Sequence, residues 1–154
     1  MTDKEYLEKA IDLSKESVEV GGFPVGALVV LGGKIVADGL SNGKQLHDAT
    51  SHAETEALRK ASKKLSSRDL NGAIVYSSME PCLMCFSACY WAKVKKVVYA
   101  IGKESLPKIH YEGLHNLEEI NKVNNRQIEI VHLKELEAKA FEVINEWRTK
   151  ISKK

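Results

Sequence analysis

The sequence predicts an α/β protein built as three layers, α/β/α, around a central mixed sheet of about five strands. Three observations carry that expectation. Helix-period and strand-period apolar patterns alternate along the chain. The first two strands are joined by a tight turn, whereas the later ones are joined through helices, which argues for partly parallel pairing with both faces covered. No repeat, low-complexity block or linker divides the 154 residues, so a single domain over 1–154 is expected.

The elements follow in order. Residues 4–19 carry Tyr6, Leu7, Ala10, Ile11, Leu13, Ser14 and Val18 on or near one helical face, and Gly21-Gly22 stops the helix. Val25–Leu31 and Lys34–Leu40 read as two strands of a hairpin, with Gly32-Gly33 as the connection. Residues 41–50 are polar and read as loop. A helix over 52–65 is predicted by Ala53, Ala57, Leu58, Ala61 and Leu65. Asn71-Gly72 is a turn, and Ala73–Tyr76 a short strand. Pro81 suits the first position of the helix over 82–92. A strand lies within Val94–Ile101. The stretch Gly102–Val123 reads as loop with one short helix at Leu117–Asn121. Gln127–Leu133 alternates like a strand, and 135–150 is a last amphipathic helix followed by a short basic tail.

Composition excludes several classes. Hydrophobic residues are 44% and charged residues 29%, enough apolar content to exclude a disordered chain. Three cysteines, two of them three residues apart, do not make a disulfide scaffold. No stretch approaches the length of a membrane span, and no signal-peptide core follows the N-terminus. A reducing cytoplasm is therefore expected, where paired cysteines signal metal or catalysis. The net charge of +2 gives no large cationic excess of the kind dedicated nucleic-acid binders show. The tail Arg148, Lys150, Lys153, Lys154 reads as solvated surface.

His52, Cys82 and Cys85 carry the chemistry. Cys82 and Cys85 sit three apart at a helix start, so both sulfurs face one way and the free N–H groups favour thiolates. One neutral imidazole and two thiolates balance the charge of a single Zn²⁺. Three ligands with no convincing fourth point to a catalytic site, since a structural one is closed by four. Glu54, two residues from His52, is placed to move a proton between water and a leaving amine. Plain structural readings stand beside these. Ser51-His52-Ala53-Glu54 is also a capping box, with Ser51 as the cap and Glu54 at the third position. Residues two apart on a regular helix do not share a face, which sets His52 against Glu54. Cys89, one turn beyond Cys85, is a small core residue or a fourth ligand that would make the site structural. Phe23 lines either a pocket or the core. Trp91 and Trp147 read as core or interface, and His47, His110, His115 and His132 as surface or strand residues. His110 and Tyr111 fall where a substrate lid would be.

The pattern His52-Ala53-Glu54 … Pro81-Cys82-Leu83-Met84-Cys85 resembles the signature of zinc-dependent base deaminases. Over nearly its whole length the chain is similar to the cytidine deaminase-like superfamily, with guanine deaminases, fungal-type cytosine deaminases and bacterial tRNA adenosine deaminases nearest in look. Phe23–Val30 resembles their first strand, and His47–Glu54 their zinc loop. The resemblance implies one Zn²⁺ per chain on His52, Cys82 and Cys85, with Glu54 as the catalytic proton carrier. It implies that Asn42 hydrogen-bonds the base, although Asn42 followed by Gly43 is also a turn pair. It implies further that the main-chain N–H groups of Ala53 and Cys82 touch substrate or water. A homodimer is expected, with the partner subunit or the chain's own C-terminal segment completing the pocket.

Two substrate classes compete. Tyr90-Trp91-Ala92-Lys93 and Val97-Val98-Tyr99-Ala100 look more like guanine deaminases, and Gly102–Pro107 departs from the Gly-rich loop of the tRNA enzymes. The expectation is release of ammonia from a free nucleobase or small nucleoside, with guanine favoured and cytosine admitted. A tRNA adenosine deaminase is the alternative, and a non-catalytic zinc-stabilised binding module a further one. Neither reading involves a membrane.

Overall fold

The computed structural model describes residues 1–106, 112–113 and 115–154. His110 and Tyr111, placed by the sequence in a candidate lid, lie outside the described residues. The elements are α1 (Asp3–Glu19), β1 (Phe23–Leu31), β2 (Lys34–Ser41), α2 (Gly43–Leu46), α3 (Ala53–Leu65), β3 (Ile74–Met79), α4 (Leu83–Trp91), β4 (Lys96–Ile101), α5 (Leu117–Val123), β5 (Glu129–His132) and α6 (Glu137–Ser152). They form a five-stranded sheet in the order β2-β1-β3-β4-β5. β1 runs antiparallel to both β2 and β3, and β3, β4 and β5 are parallel. The mixed sheet expected from one hairpin followed by helix-linked strands is the sheet observed.

Two glycines show how the layers close. A Cβ on Gly26 of β1 would lie 2.5 Å from Ala10 O of α1, and one on Gly39 of β2 would lie 1.9 Å from Ala53 O of α3. Backbone meets backbone on both faces, and only glycine permits the approach. α1 packs over β1 and β3 with α6 beside it, while α3 covers β2 and β1 with α4 beside it. The core between them includes Leu7, Ile11, Val29, Val75, Phe86 and Val97, all fully buried. The contact at Gly39 brings the first turn of α3 down onto the sheet, which matters for the site.

Several boundaries differ from the sequence reading. β3 runs on to Met79 rather than ending at Tyr76, because two buried hydroxyls in the extension find partners. Ser77 Oγ donates to Glu54 Oε1 at 2.8 Å, and Ser78 Oγ accepts from Gly26 N at 3.2 Å. The loop 41–50 contains the one-turn helix α2. The last helix starts at Glu137 instead of 135, since Lys134–Leu136 form a 3₁₀ turn, and it runs to Ser152. Trp91 is not core: it is 78% exposed at the end of α4. No helix among the described residues is long and apolar enough to cross a membrane.

Candidate functional site

One edge of the sheet gathers the start of β1 at Phe23, the end of β2 at Ser41 and the end of β3 at Met79. Ligands of open α/β sheets bind outside the carboxyl ends of the strands, and two helices begin at this edge. α3 begins at His52, whose backbone is extended at φ −82° and ψ 164°. Its N–H donates to Thr55 Oγ1 at 3.0 Å. The cap is therefore His52 and not Ser51, and the third helical residue is Thr55 and not Glu54. The expected conflict between His52 and Glu54 disappears for the same reason. His52 leaves the chain before the helical turn sets in, and Glu54 leaves from within it, so the 100° periodicity does not separate them. Ser51 Oγ donates instead to Asn42 Oδ1 at 2.8 Å.

α4 begins in the same manner. Cys82 is the cap, extended at φ −67° and ψ 168°, and Cys85 N donates to its sulfur at 3.5 Å. Pro81 thus lies one position before the cap, outside the helix it was expected to open. Two capping residues and one first-turn residue converge. His52 Nδ1 lies 3.5 Å from Cys82 Sγ and 3.6 Å from Cys85 Sγ, and the three donor atoms all lie within 4.8 Å of one another. Bonds of about 2.3 Å to sulfur and 2.0–2.1 Å to nitrogen, at a tetrahedral angle, put nitrogen and sulfur roughly 3.5 Å apart. The donor set fits Zn²⁺ in both chemistry and spacing. Among the described residues no fourth His, Cys, Asp or Glu joins the group. Cys89 is fully buried within the core.

The Cys85 hydrogen bond, followed by the His52 contact, lowers the Cys82 thiol to about 4 against the cost of burial. The bond to Cys82 and burial push the Cys85 thiol up. The hydrogen bond to Cys82 raises His52 despite desolvation. Glu54 is 4% exposed, and burial pushes its carboxyl above the usual carboxylate range. The Ser77 hydroxyl holds its Oε1.

His52, Ala53, Glu54 and Cys82 line a cavity of about 970 Å³. Phe23, expected in pocket or core, serves both: it lines the cavity and packs against the core. Among the described residues the wall includes Ser41 and Gly43 but not Asn42 between them, whose carboxamide oxygen is engaged by Ser51. His47 and His115 are exposed, and His132 stacks on Tyr99 across β4 and β5. The sequence reading missed Glu112, which accepts from Leu83 N at the start of α4 and lines the cavity. The chain's own C-terminal segment, one of the two expected completions of the pocket, borders the cavity through Trp147, Lys150 and Ile151 of α6 and through Lys153 and Lys154 beyond it, so the tail read as solvated surface lines the site in part. Within α6, residues 147, 150 and 151 follow the i, i+3, i+4 spacing of one helical face.

Residues 1–101 match the family model described as the cytidine and deoxycytidylate deaminase zinc-binding region. The chain is 39% identical over 123 residues to the guanine deaminase of Bacillus subtilis, covering 79% of each. It is 36% identical over 107 residues to the tRNA-specific adenosine deaminase of Buchnera aphidicola subsp. Baizongia pistaciae, covering 70% of this chain and 66% of that one. It is 33% identical over 107 residues to the probable cytosine deaminase of Schizosaccharomyces pombe, covering 70% and 65%. Among solved structures, the guanine deaminase of Bacillus subtilis superposes with a TM-score of 0.70 at 32% identity, covering 97% of this chain and 95% of that one. That of Nitrosomonas europaea gives 0.82 at 24%, covering 94% and 83%, a likeness of fold. The chain belongs to the cytidine and deoxycytidylate deaminase family.

Proposed function

We propose that this deaminase-family chain is a zinc-dependent hydrolase that removes the exocyclic amine of a nucleobase, with guanine favoured and cytosine admitted. The observation that carries the reading is a three-donor cluster beside a buried carboxyl on the wall of one large cavity. His52 Nδ1, Cys82 Sγ and Cys85 Sγ would hold the ion. Zn²⁺ bound there supplies a water acidified to near-neutral pKa and an open coordination position. The chain's own residues do the rest. The N-terminal ends of α3 and α4 border the cavity, and their dipoles favour negative charge developing on a substrate. Glu54 takes a proton from water on the oxygen that Ser77 leaves available. It delivers that proton to a ring nitrogen as the water oxygen adds to carbon, then carries the remaining hydroxyl proton to the amine, which leaves as ammonia as the C–N bond breaks. The balance is base–NH₂ plus water giving base=O plus NH₃. Asn42 and the N–H groups of Ala53 and Cys82 are assigned to orienting the base. A homodimer and a cytoplasmic setting belong to this reading, and sedimentation of the purified protein tests the first.

Guanine is supported by the identity and coverage of the Bacillus subtilis relative and by the aromatic pair Phe23 and Trp147 on the cavity wall. The tRNA alternative is favoured by a different observation: Lys44, Lys150, Lys153 and Lys154 border the same cavity, as amines meeting phosphates would. Ammonia release from guanine, cytosine, cytidine, adenosine and a tRNA anticodon stem, with zinc quantified on the same sample, tests the reading. Turnover of guanine is expected. Turnover of the anticodon stem alone would replace this substrate with RNA, and no turnover of any would leave a binding module. Cys82→Ala or Cys85→Ala is expected to lose zinc and activity together. Full activity without metal would overturn the assignment.

A further inference from the structure

Two residues before Cys82 stands a carboxylate that the proposed chemistry does not use. Glu80 is 7% exposed and borders the same cavity as Cys82. Three contacts tie it to the end of β4. Its N–H donates to Ile101 O at 2.8 Å, one residue beyond the last pair of β3 with β4, Met79 with Ile101. Its Oε2 accepts from the main-chain N–H of Lys103 at 2.8 Å, and its Oε1 lies 3.5 Å from Lys103 Nζ. Lys103 opens the 3₁₀ turn that follows β4. The backbone and the side chain of Glu80 are thus fixed to one short stretch of chain.

Only Pro81 separates this anchor from Cys82, and its ring fixes φ. Cys82 then caps α4 with extended backbone. A shift of Glu80 is passed to the Cys82 sulfur with little slack. On the other side of the cluster, α3 presents His52 and is seated by the approach of Ala53 O to Gly39. Each helix start therefore has its own seat on the sheet: a backbone contact for α3 and a carboxylate for α4. Neutral groups of similar size often replace a buried ion pair without loss of stability, so such a pair is better evidence of fixed position than of stability. We propose that Glu80 is a positioning residue for the zinc ligand Cys82, its carboxylate latched to the main chain and ammonium of Lys103 so that the sulfur is set against His52 and Cys85. This rests on the zinc deaminase reading above and adds to it the group that holds the α4 half of the metal site.

Two readouts test the latch without turnover: zinc release from the loaded protein into excess chelator, and the visible d–d bands of the Co²⁺-substituted protein, which report ligand geometry. Glu80→Ala is expected to release zinc at least about tenfold faster, as loss of a group that orients a ligand does, and to shift the Co²⁺ bands. Glu80→Gln combined with Lys103→Met keeps an acceptor for the N–H of residue 103 and leaves no unpaired charge. This neutral pair is expected to stay close to wild type in both readouts. Glu80→Asp keeps the charge but is one methylene short, and it should release zinc faster than the neutral pair. Folded Glu80→Ala with wild-type release and wild-type bands overturns the latch alone. So does a neutral pair that loses zinc as fast as Glu80→Ala. Should Glu80→Ala fail to fold, a Glu80→Asp protein that holds zinc as well as the neutral pair overturns the latch instead. Wild-type protein that takes up neither Zn²⁺ nor Co²⁺ overturns the latch together with the zinc reading.

Discussion

Tyr76 and Ser77 are neighbours on β3, and they hold two carboxylates on opposite faces of the same sheet. On the α1 face, Tyr76 donates its hydroxyl to Asp3 Oδ1 at 2.6 Å, and Lys96 Nζ meets Asp3 Oδ2 at 2.6 Å. Partial burial pushes Asp3 up, but the hydrogen bonds from Lys96 and Tyr76 and the lysine charge outweigh it and hold the carboxyl below 3.8. On the α3 face, Ser77 donates to Glu54 Oε1 at 2.8 Å, and burial dominates, so the carboxyl is raised. One acid is fixed as an anion by a cation. The other is kept able to gain and lose a proton beside an imidazole and two sulfurs. The difference separates a carboxylate that ties α1 to the sheet from one poised for chemistry.

The largest expected contrast comes from neutralising each acid in turn. Glu54→Gln should lower ammonia release by about 10²–10⁴-fold, the range of general acid–base catalysis. Zinc content should stay full, and thermal stability equal or higher, because a buried charge is removed. Asp3→Asn should leave turnover within twofold. A Glu54→Gln protein that keeps its activity would erase the functional half of the contrast.

The two close approaches offer the next test. Gly39→Ala and Gly26→Ala each force a Cβ into the backbone of a covering helix, and each should cost roughly 1–3 kcal/mol in denaturant unfolding. Only Gly39→Ala should also reduce zinc content, because the helix it displaces begins at His52. Equal zinc in the two variants would show that the first turn of α3 is not held by that contact.

Ser77→Ala removes the one hydroxyl on Glu54 Oε1 and leaves a buried carboxyl short of a partner. Stability should fall by about 1–3 kcal/mol, and activity by less than in Glu54→Gln. Unchanged stability would mean that Oε1 finds another donor.

The smallest effect is expected on the other face. Asp3 has a lowered folded value, so its stabilisation is present above 3.8 and is lost as pH falls through the folded value. The stability difference between wild type and Asp3→Asn should be about 0.2–1 kcal/mol near neutrality, and it should vanish in acid. A difference that grows on acidification would reverse the assignment.

Most of this architecture could be read in residue order. The apolar face of α1 and the Gly-Gly hairpin are contained within short windows, where local periodicity and turn chemistry decide the outcome. β3 was read three residues short because Ser77 and Ser78 look like a strand ending. They are buried strand because Glu54 and Gly26, 23 and 52 residues away in the chain, satisfy them. The cap of α3 was misplaced for a related reason. Ser51 has the better capping side chain, but Asn42 takes its hydroxyl, and Thr55 takes the N–H of His52.

The sequence by itself determined the donor chemistry: an imidazole, two thiols three apart and a nearby carboxyl. Those facts depend on residue type and spacing within two short blocks. The tertiary structure alone decided that His52 and Glu54 face one cavity, that Cys89 stays in the core, and that the basic tail borders the site with Trp147 against Phe23. Each of these is a contact between segments far apart in the chain, set by how helices pack on a sheet, and no local pattern of residues carries that information.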